Sequence, residues 1–157
     1  MNPVANPPSL DPIARMRVLA DVYPGCAVVE RIVDASFDAV WSIAGDIEGG
    51  IPRFENAVER SRIVGREGDR LKLLSAGKRG SERRFQAILR PGWCWMQSGR
   101  VLVAMAARPE AGRTRIAHLE GLRIGGARML RPILRRKIAR ELERIESLAQ
   151  QLDRGRR

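Results

Sequence analysis

Leu134-Arg135-Arg136-Lys137-Ile138-Ala139-Arg140-Glu141-Leu142-Glu143-Arg144-Ile145-Glu146-Ser147-Leu148-Ala149-Gln150-Gln151-Leu152 reads as one long amphipathic helix. Leu134, Ile138, Ile145, Leu148 and Leu152 share a face, with Leu142 and Ala149 beside them, which is the helical period. A helix of about 20 residues spans roughly 30 Å, the width of a small domain. It is expected to begin after Gly125-Gly126 and to end near Leu152, leaving residues 153–157 as a basic tail. One residue breaks the stripe. Glu141 stands in its middle, and an unpaired buried carboxylate is costly. Two readings stay open: an edge pair with Lys137 one turn earlier, or a polar ligand anchor in a cavity, facing His118 across it.

Such a helix needs an apolar surface to cover, and the sequence before it supplies one. Residues 58–64, 71–75, 85–89, 93–97, 101–107 and 114–122 read as short strands. The intervening turns carry Gly65 and Gly68, Gly77 and Gly80, Pro91-Gly92, Gly99, and Pro109-Glu110-Ala111-Gly112. Even spacing with glycine-bearing turns predicts an antiparallel meander. The β-branched segment 26–33 adds a strand, for about seven in all. The expected class is α+β: an antiparallel sheet wrapped around the C-terminal helix, as two packed layers.

The beginning of the chain reads differently. Residues 1–10 hold several prolines and no period, predicting a flexible arm. Asp11-Pro12 is an N-cap followed by proline at the first helical position, and Ile13, Met16 and Leu19 continue as a short helix stopped by Tyr23-Pro24-Gly25. Ser36 caps a second short helix through Phe37, Val40, Trp41 and Ala44, which Gly49-Gly50 and Pro52 end or kink. There is no internal repeat and no sign of a second domain.

Composition narrows the function classes. At 157 residues and 44% hydrophobic, the chain can bury a core and is not a disordered protein. No apolar run approaches the roughly 20 residues of a membrane span. Nor does the N-terminus carry a secretory signal, and two cysteines, Cys26 and Cys94, offer no disulfide framework; a cytoplasmic protein with reduced thiols is the expectation. A net charge of +11 and a pI near 11.3 favour polyanionic partners, either an anionic membrane surface or RNA, or else simply a solvated surface. Arg136, Arg140 and Arg144 recur at one-turn intervals on the outer helix face, and Arg131, Arg154, Arg156 and Arg157 extend the basic character. No aromatic residue is interleaved with them, which weighs against a stacking nucleic-acid site.

Motifs for common enzymes are missing. Gly77-Lys78-Arg79 lacks the phosphate-loop pattern, and Gly121, Gly125 and Gly126 have the wrong spacing for a dinucleotide. One histidine and two distant cysteines give no visible zinc ligand set, so no metal and no cofactor are expected. Strand alternation supplies candidates instead. Thr114, Ile116, His118 and Glu120 share one face of the last strand, and Val101, Val103, Met105 and Ala107 one face of the strand before it. Trp93 and Trp95 alternate with Cys94 and Met96, so either the indoles or the sulfurs point inward; Trp95 inward is the expectation carried forward. His118, the single imidazole, is either a general acid/base or a histidine bonded within the sheet.

Local residues add a resemblance. Val29-Glu30-Arg31-Ile32-Val33-Asp34-Ala35-Ser36-Phe37-Asp38-Ala39-Val40-Trp41, with Asp46 beyond, resembles the opening strand and first helix of the START-like, Bet v 1-like and polyketide-cyclase superfamily. Ile51-Pro52-Arg53-Phe54 looks like that superfamily's proline-aromatic segment, and Ala111-Gly112-Arg113-Thr114-Arg115-Ile116 is similar to the start of its last strand, with one arginine inserted. The resemblance covers about residues 26–152. It implies a helix-grip fold in which the Thr114/Ile116 face looks toward the long helix and an apolar cavity lies between helix and sheet. Its members include lipid carriers, aromatase/cyclases, ubiquinone-binding proteins and ribosome-associated factors, and fold alone does not choose among them. The expected function is binding or transfer of a hydrophobic small molecule, a lipid, isoprenoid or polyketide, by Trp95, Met105, His118, Glu120, Ile138, Glu141 and Ile145. The alternatives are an aromatase/cyclase-like enzyme using His118, Glu120 or Glu141, and a ribosome- or nucleic-acid-associated factor using the basic surface.

Overall fold

The computed structural model describes residues 10–156; the arm expected over residues 1–10 falls, but for Leu10, outside them. Helix α1 (Pro12–Val22) starts as the sequence dictates, Asp11 Oδ1 accepting from the N–H groups of Ile13 (2.9 Å) and Ala14 (3.1 Å). Strand β1 (Cys26–Val33), helix α2 (Phe37–Ala44) and the one-turn helix α3 (Ile51–Phe54) follow. A Cβ at Gly50 would lie 2.0 Å from the Ile43 carbonyl oxygen, so the turn between α2 and α3 admits only glycine.

Six strands then run consecutively: β2 (Val58–Glu67), β3 (Arg70–Gly77), β4 (Glu82–Arg90), β5 (Trp93–Ser98), β6 (Val101–Glu110) and β7 (Arg113–Leu122). They form one antiparallel sheet in the order β1-β7-β6-β5-β4-β3-β2. Several strands outrun their sequence signal. β2 continues past Gly65, which sits at a register shift after Ile63 and bends the strand without ending it. β6 continues through Pro109, opposite Thr114, because β5 pairs only with Val101–Ala106 and leaves no ladder bond there for proline to break. The β6–β7 turn is only Ala111-Gly112, both at positive φ (50° and 77°), the left-handed geometry of a two-residue hairpin.

A 3-10 turn (Ala127–Leu130) leads into helix α4 (Arg131–Gly155). α4 runs three residues beyond Leu152, correcting the expected basic tail. Asp153 explains why. Its carboxylate accepts from the Ser36 backbone N–H and Oγ–H, both at 2.7 Å, while Ser36 Oγ accepts from the Ala39 N–H at the start of α2. The last turn of α4 therefore holds the cap of α2.

The sheet is buried on its concave face and, on its outer face, only around β1, β5, β6 and β7, since Arg62, Lys72 and Arg84 on β2–β4 are exposed. Its concave side carries α2, α3 and α4 and the larger core, including Val33, Val40, Ile43, Ile116, Ile138, Leu142 and Ile145. The buried part of the outer face is covered by α1, where Ile13 and Met16 pack with Trp93, Leu102, Ala117 and Leu119. No helix among the described residues is long and apolar enough to cross a membrane.

Candidate functional site

β7 carries the polar centre of the concave face. Thr114, Ile116, His118 and Glu120 point toward the α4 side as alternation requires, and Thr114 Oγ1–H donates to the Ala35 carbonyl (2.9 Å). His118 is 1% exposed. Its Nδ1 lies 2.9 Å from the Ala104 carbonyl, which only accepts, so Nδ1 carries a proton. Its Nε2 lies 2.7 Å from Glu141 Oε2 and 3.1 Å from Glu120 Oε1. The cluster therefore exists as an imidazolium between two carboxylates, or as a neutral ring accepting a proton held by one of them.

Lys137 closes the cluster from α4. Its Nζ donates to Glu141 Oε1 (2.6 Å), Glu120 Oε2 (2.7 Å) and Glu55, just after α3. The expected Lys137 pair is present, whereas Glu141 meets His118 directly rather than across a cavity. Glu141 is 2% exposed, so it sits in the core rather than at the stripe's edge.

Three carboxylates face two cations, and that imbalance sets the proton affinities. Burial works against a charge on His118, but hydrogen bonds and attraction from Glu120 and Glu141 outweigh it and raise its pKa to about 10. Burial pushes Glu141 up to about 7, with His118 only partly opposing. Burial also pushes Glu120 upward, but the His118 hydrogen bond and charge together with Lys137 prevail, bringing it down to about 2. Lys137 is raised despite its burial by Glu120 and Glu141. His118 therefore holds the cluster's proton as an imidazolium between the two carboxylates, and Glu141 is the carboxylate that protonates next.

His118, Glu120 and Glu141 also bring potential metal-ligand atoms within 4.8 Å of one another, a grouping that counting histidines and cysteines had missed. The Lys137 ammonium already lies among the same carboxylates, so a metal ion would have to displace it.

Beside this cluster is a cavity of about 290 Å³. Its walls are Phe54 from α3, Leu73, Phe85, Met96, Val103 and Met105 from the sheet, with His118, Glu120 and Lys137 at one side. Met105, His118 and Glu120 thus line the cavity, while the four other expected lining residues, Trp95, Ile138, Glu141 and Ile145, do not. Trp95 is on the opposite face, its ring 6.0 Å from that of Tyr23 and packed with the α1 cluster; Cys94 and Met96 point into the cavity instead. Ile138 and Ile145 are fully buried in the solid core. α4 packs on α2, α3, β1 and β7, so its apolar stripe fills one half of the concave face and the cavity opens under the other half. Glu141 lies behind the polar wall, bordering a second, outer groove with Glu55, Ile133, Arg136, Lys137, Arg140 and Arg144. Of the expected basic row, Arg136 and Arg140 are exposed, whereas Arg144 donates to the Phe54 carbonyl (2.9 Å) and holds the end of α3.

No protein-family model matches the sequence, and no curated protein matches it. Solved structures do. A START superfamily protein from Mycobacterium smegmatis superposes with a TM-score of 0.60 at 16% identity, covering 81% of this chain and 98% of its own. The Zhui aromatase/cyclase of a Streptomyces species gives 0.56 at 17% identity, covering 80% and 94%. A Thermus thermophilus protein gives 0.59 at 19% identity, covering 81% and 98%. Likeness at such identities concerns architecture alone, and with the strand order, the long terminal helix and the cavity described above it establishes that the chain has the START-like helix-grip fold.

Proposed function

We propose that this protein binds a small hydrophobic molecule bearing one polar group, with the apolar part among Phe54, Leu73, Phe85, Met96, Val103 and Met105 and the polar group at Glu120 and Lys137. The observation that carries the reading is the cavity itself: largely apolar walls with Glu55, His118, Glu120 and Lys137 together at one side, and only Arg83, Ser61 and Ser75 adding polar atoms from the strands opposite, the usual build of a ligand pocket. Its size, about 290 Å³, is near the lower end for such pockets and favours an isoprenoid or polyketide-like fragment over a two-chain lipid. The START-like fold and the names of the structural neighbours support a ligand-binding role.

Binding is favoured over catalysis by the charge state of the polar wall. A His118 raised to about 10 is already protonated at neutral pH and is no general base, and Glu141, the group poised near 7, does not line the cavity. The test is mass spectrometry of the organic extract from purified protein, run beside a Val103→Trp variant that fills the cavity. A stoichiometric apolar compound in the native protein and none in the variant is the expected result. Equal amounts in both would place the compound elsewhere and remove the proposal.

A further inference from the structure

The connection from β7 into α4 is unlike the rest of the surface. Of the eight large hydrophobic side chains exposed among the described residues, four fall within ten positions: Ile124 (38% exposed), Met129 (85%), Leu130 (42%) and Ile133 (67%). Between Gly121 and Arg140 the sequence also holds seven cations, Arg123, Arg128, Arg131, Arg135, Arg136, Lys137 and Arg140, and no carboxylate. Arg128, Arg135, Arg136 and Arg140 are exposed. The 3-10 turn projects Met129 and Leu130, and Ile133 continues the apolar surface along the first turn of α4.

We propose that this segment is a membrane-docking surface, with Met129, Leu130 and Ile133 entering the headgroup–acyl boundary of an anionic bilayer and the surrounding arginines engaging lipid phosphates. The occupant follows from the two chemistries together. A polyanion alone would account for the cations but would leave apolar side chains in water, and a neutral apolar partner would leave the exposed Arg128, Arg135, Arg136 and Arg140 unmatched. An anionic interface satisfies both, as for basic amphipathic segments that lie in the plane of a membrane. The basic contribution is thereby placed at the start of α4 rather than along Arg136, Arg140 and Arg144, the last of which is committed to the Phe54 carbonyl. Ile133 and Lys137 border the outer groove, and Lys137 also lines the cavity, so docking would set the cavity beside the bilayer. The docking surface does not depend on what the cavity holds.

The full-length protein is sedimented with vesicles of phosphatidylcholine alone and of phosphatidylcholine with phosphatidylglycerol. Binding to the anionic vesicles only, weakened by salt, is expected. Combined Met129→Ser, Leu130→Ser and Ile133→Ser should lower the partition coefficient by about tenfold or more, and combined Arg128→Gln, Arg135→Gln and Arg136→Gln by roughly a hundredfold. Since all six side chains are at the surface, the unfolding temperature of both variants should stay near the parent's, and that is checked alongside. Insertion is read separately on a Met129→Cys variant carrying an environment-sensitive fluorophore, labelled selectively because burial pushes the thiols of Cys26 and Cys94 up to about 11 and 12. A blue shift on anionic vesicles is expected. Three results would overturn the proposal: serine variants that bind vesicles as the parent does, tight binding to RNA with none to vesicles, or a dimer that the serine variant disperses, which would assign the patch to a second copy.

Discussion

Replacing His118 by leucine tests the charge balance of the buried cluster more sharply than any other single change. In the native protein Glu55, Glu120 and Glu141 face the two cations Lys137 and His118. His118→Leu leaves three carboxylates around one ammonium and removes the Nδ1 bond to the Ala104 carbonyl and both Nε2 contacts. Breaking a buried pair in this way costs about 3–5 kcal/mol, a large share of the roughly 5–15 kcal/mol that stabilises a domain. Glu141→Leu has the opposite effect on the balance. Two carboxylates remain against two cations, His118 keeps Glu120, and Lys137 keeps Glu55 and Glu120. The loss is about 1–3 kcal/mol of charge-assisted hydrogen bonding, partly offset by the buried leucine. The double variant should lose less than the two single losses combined, since most of the His118→Leu penalty is the carboxylate it leaves unpaired. Urea unfolding at pH 8, followed by tryptophan fluorescence, measures all three. Glu141→Leu costing more than His118→Leu, or His118→Leu costing under about 1 kcal/mol, would refute the charge-balance reasoning.

Stability should be highest near pH 4 to 5 and decline toward pH 10. The raised pKa values of His118 (6.5 to about 10) and Glu141 (4.5 to about 7) mean the folded state holds those protons more tightly, so their contribution is full at low pH and is lost as pH rises through the folded values; Glu120, lowered to about 2, acts oppositely and only in acid. A melting temperature flat or rising from pH 6 to 10 would contradict this. Asp153→Ala should cost about 1–2 kcal/mol through lost bonds to Ser36, while Arg154→Ala, at an exposed position, should be neutral in the same melting assay. Cys26 and Cys94, with thiols raised to about 11 and 12 by burial, should resist a thiol reagent at pH 8 until denaturant is added.

How much of this was legible in the sequence depended on what each pattern encodes. The period of two in 114–120 put Thr114, Ile116, His118 and Glu120 on one face, the family resemblance turned that face toward α4, and the helical period set Glu141 in the stripe that meets it. Alternation, however, gives two faces without saying which one is inner. Because α1 buries that part of the outer face, Trp93–Cys94–Trp95–Met96 is apolar on both sides, and the choice of Trp95 failed. The apolar positions of α1, Ile13, Met16 and Leu19, were the available sign that the outer face would need large side chains. Helical period likewise marks Ile138 and Ile145 as buried without distinguishing solid core from cavity wall, which depends on how far α4 reaches across the sheet. Glu55 follows a one-turn helix, belongs to no period, and joins Lys137 only through the fold. Asp153 had been assigned to a tail because the stripe of large apolar residues ends at Leu152, yet a hydrogen bond to the α2 cap extends the helix past it.

The cavity is proposed to receive an apolar ligand that its polar wall orients. Titration of an apolar, environment-sensitive fluorophore into the native protein, Val103→Trp and Arg154→Ala tests this most directly. Saturable one-to-one binding by the native protein and Arg154→Ala, weakened about tenfold or more in Val103→Trp with the melting temperature preserved, is the predicted result. Unchanged affinity in Val103→Trp, or no saturable binding to the native protein, would contradict the account.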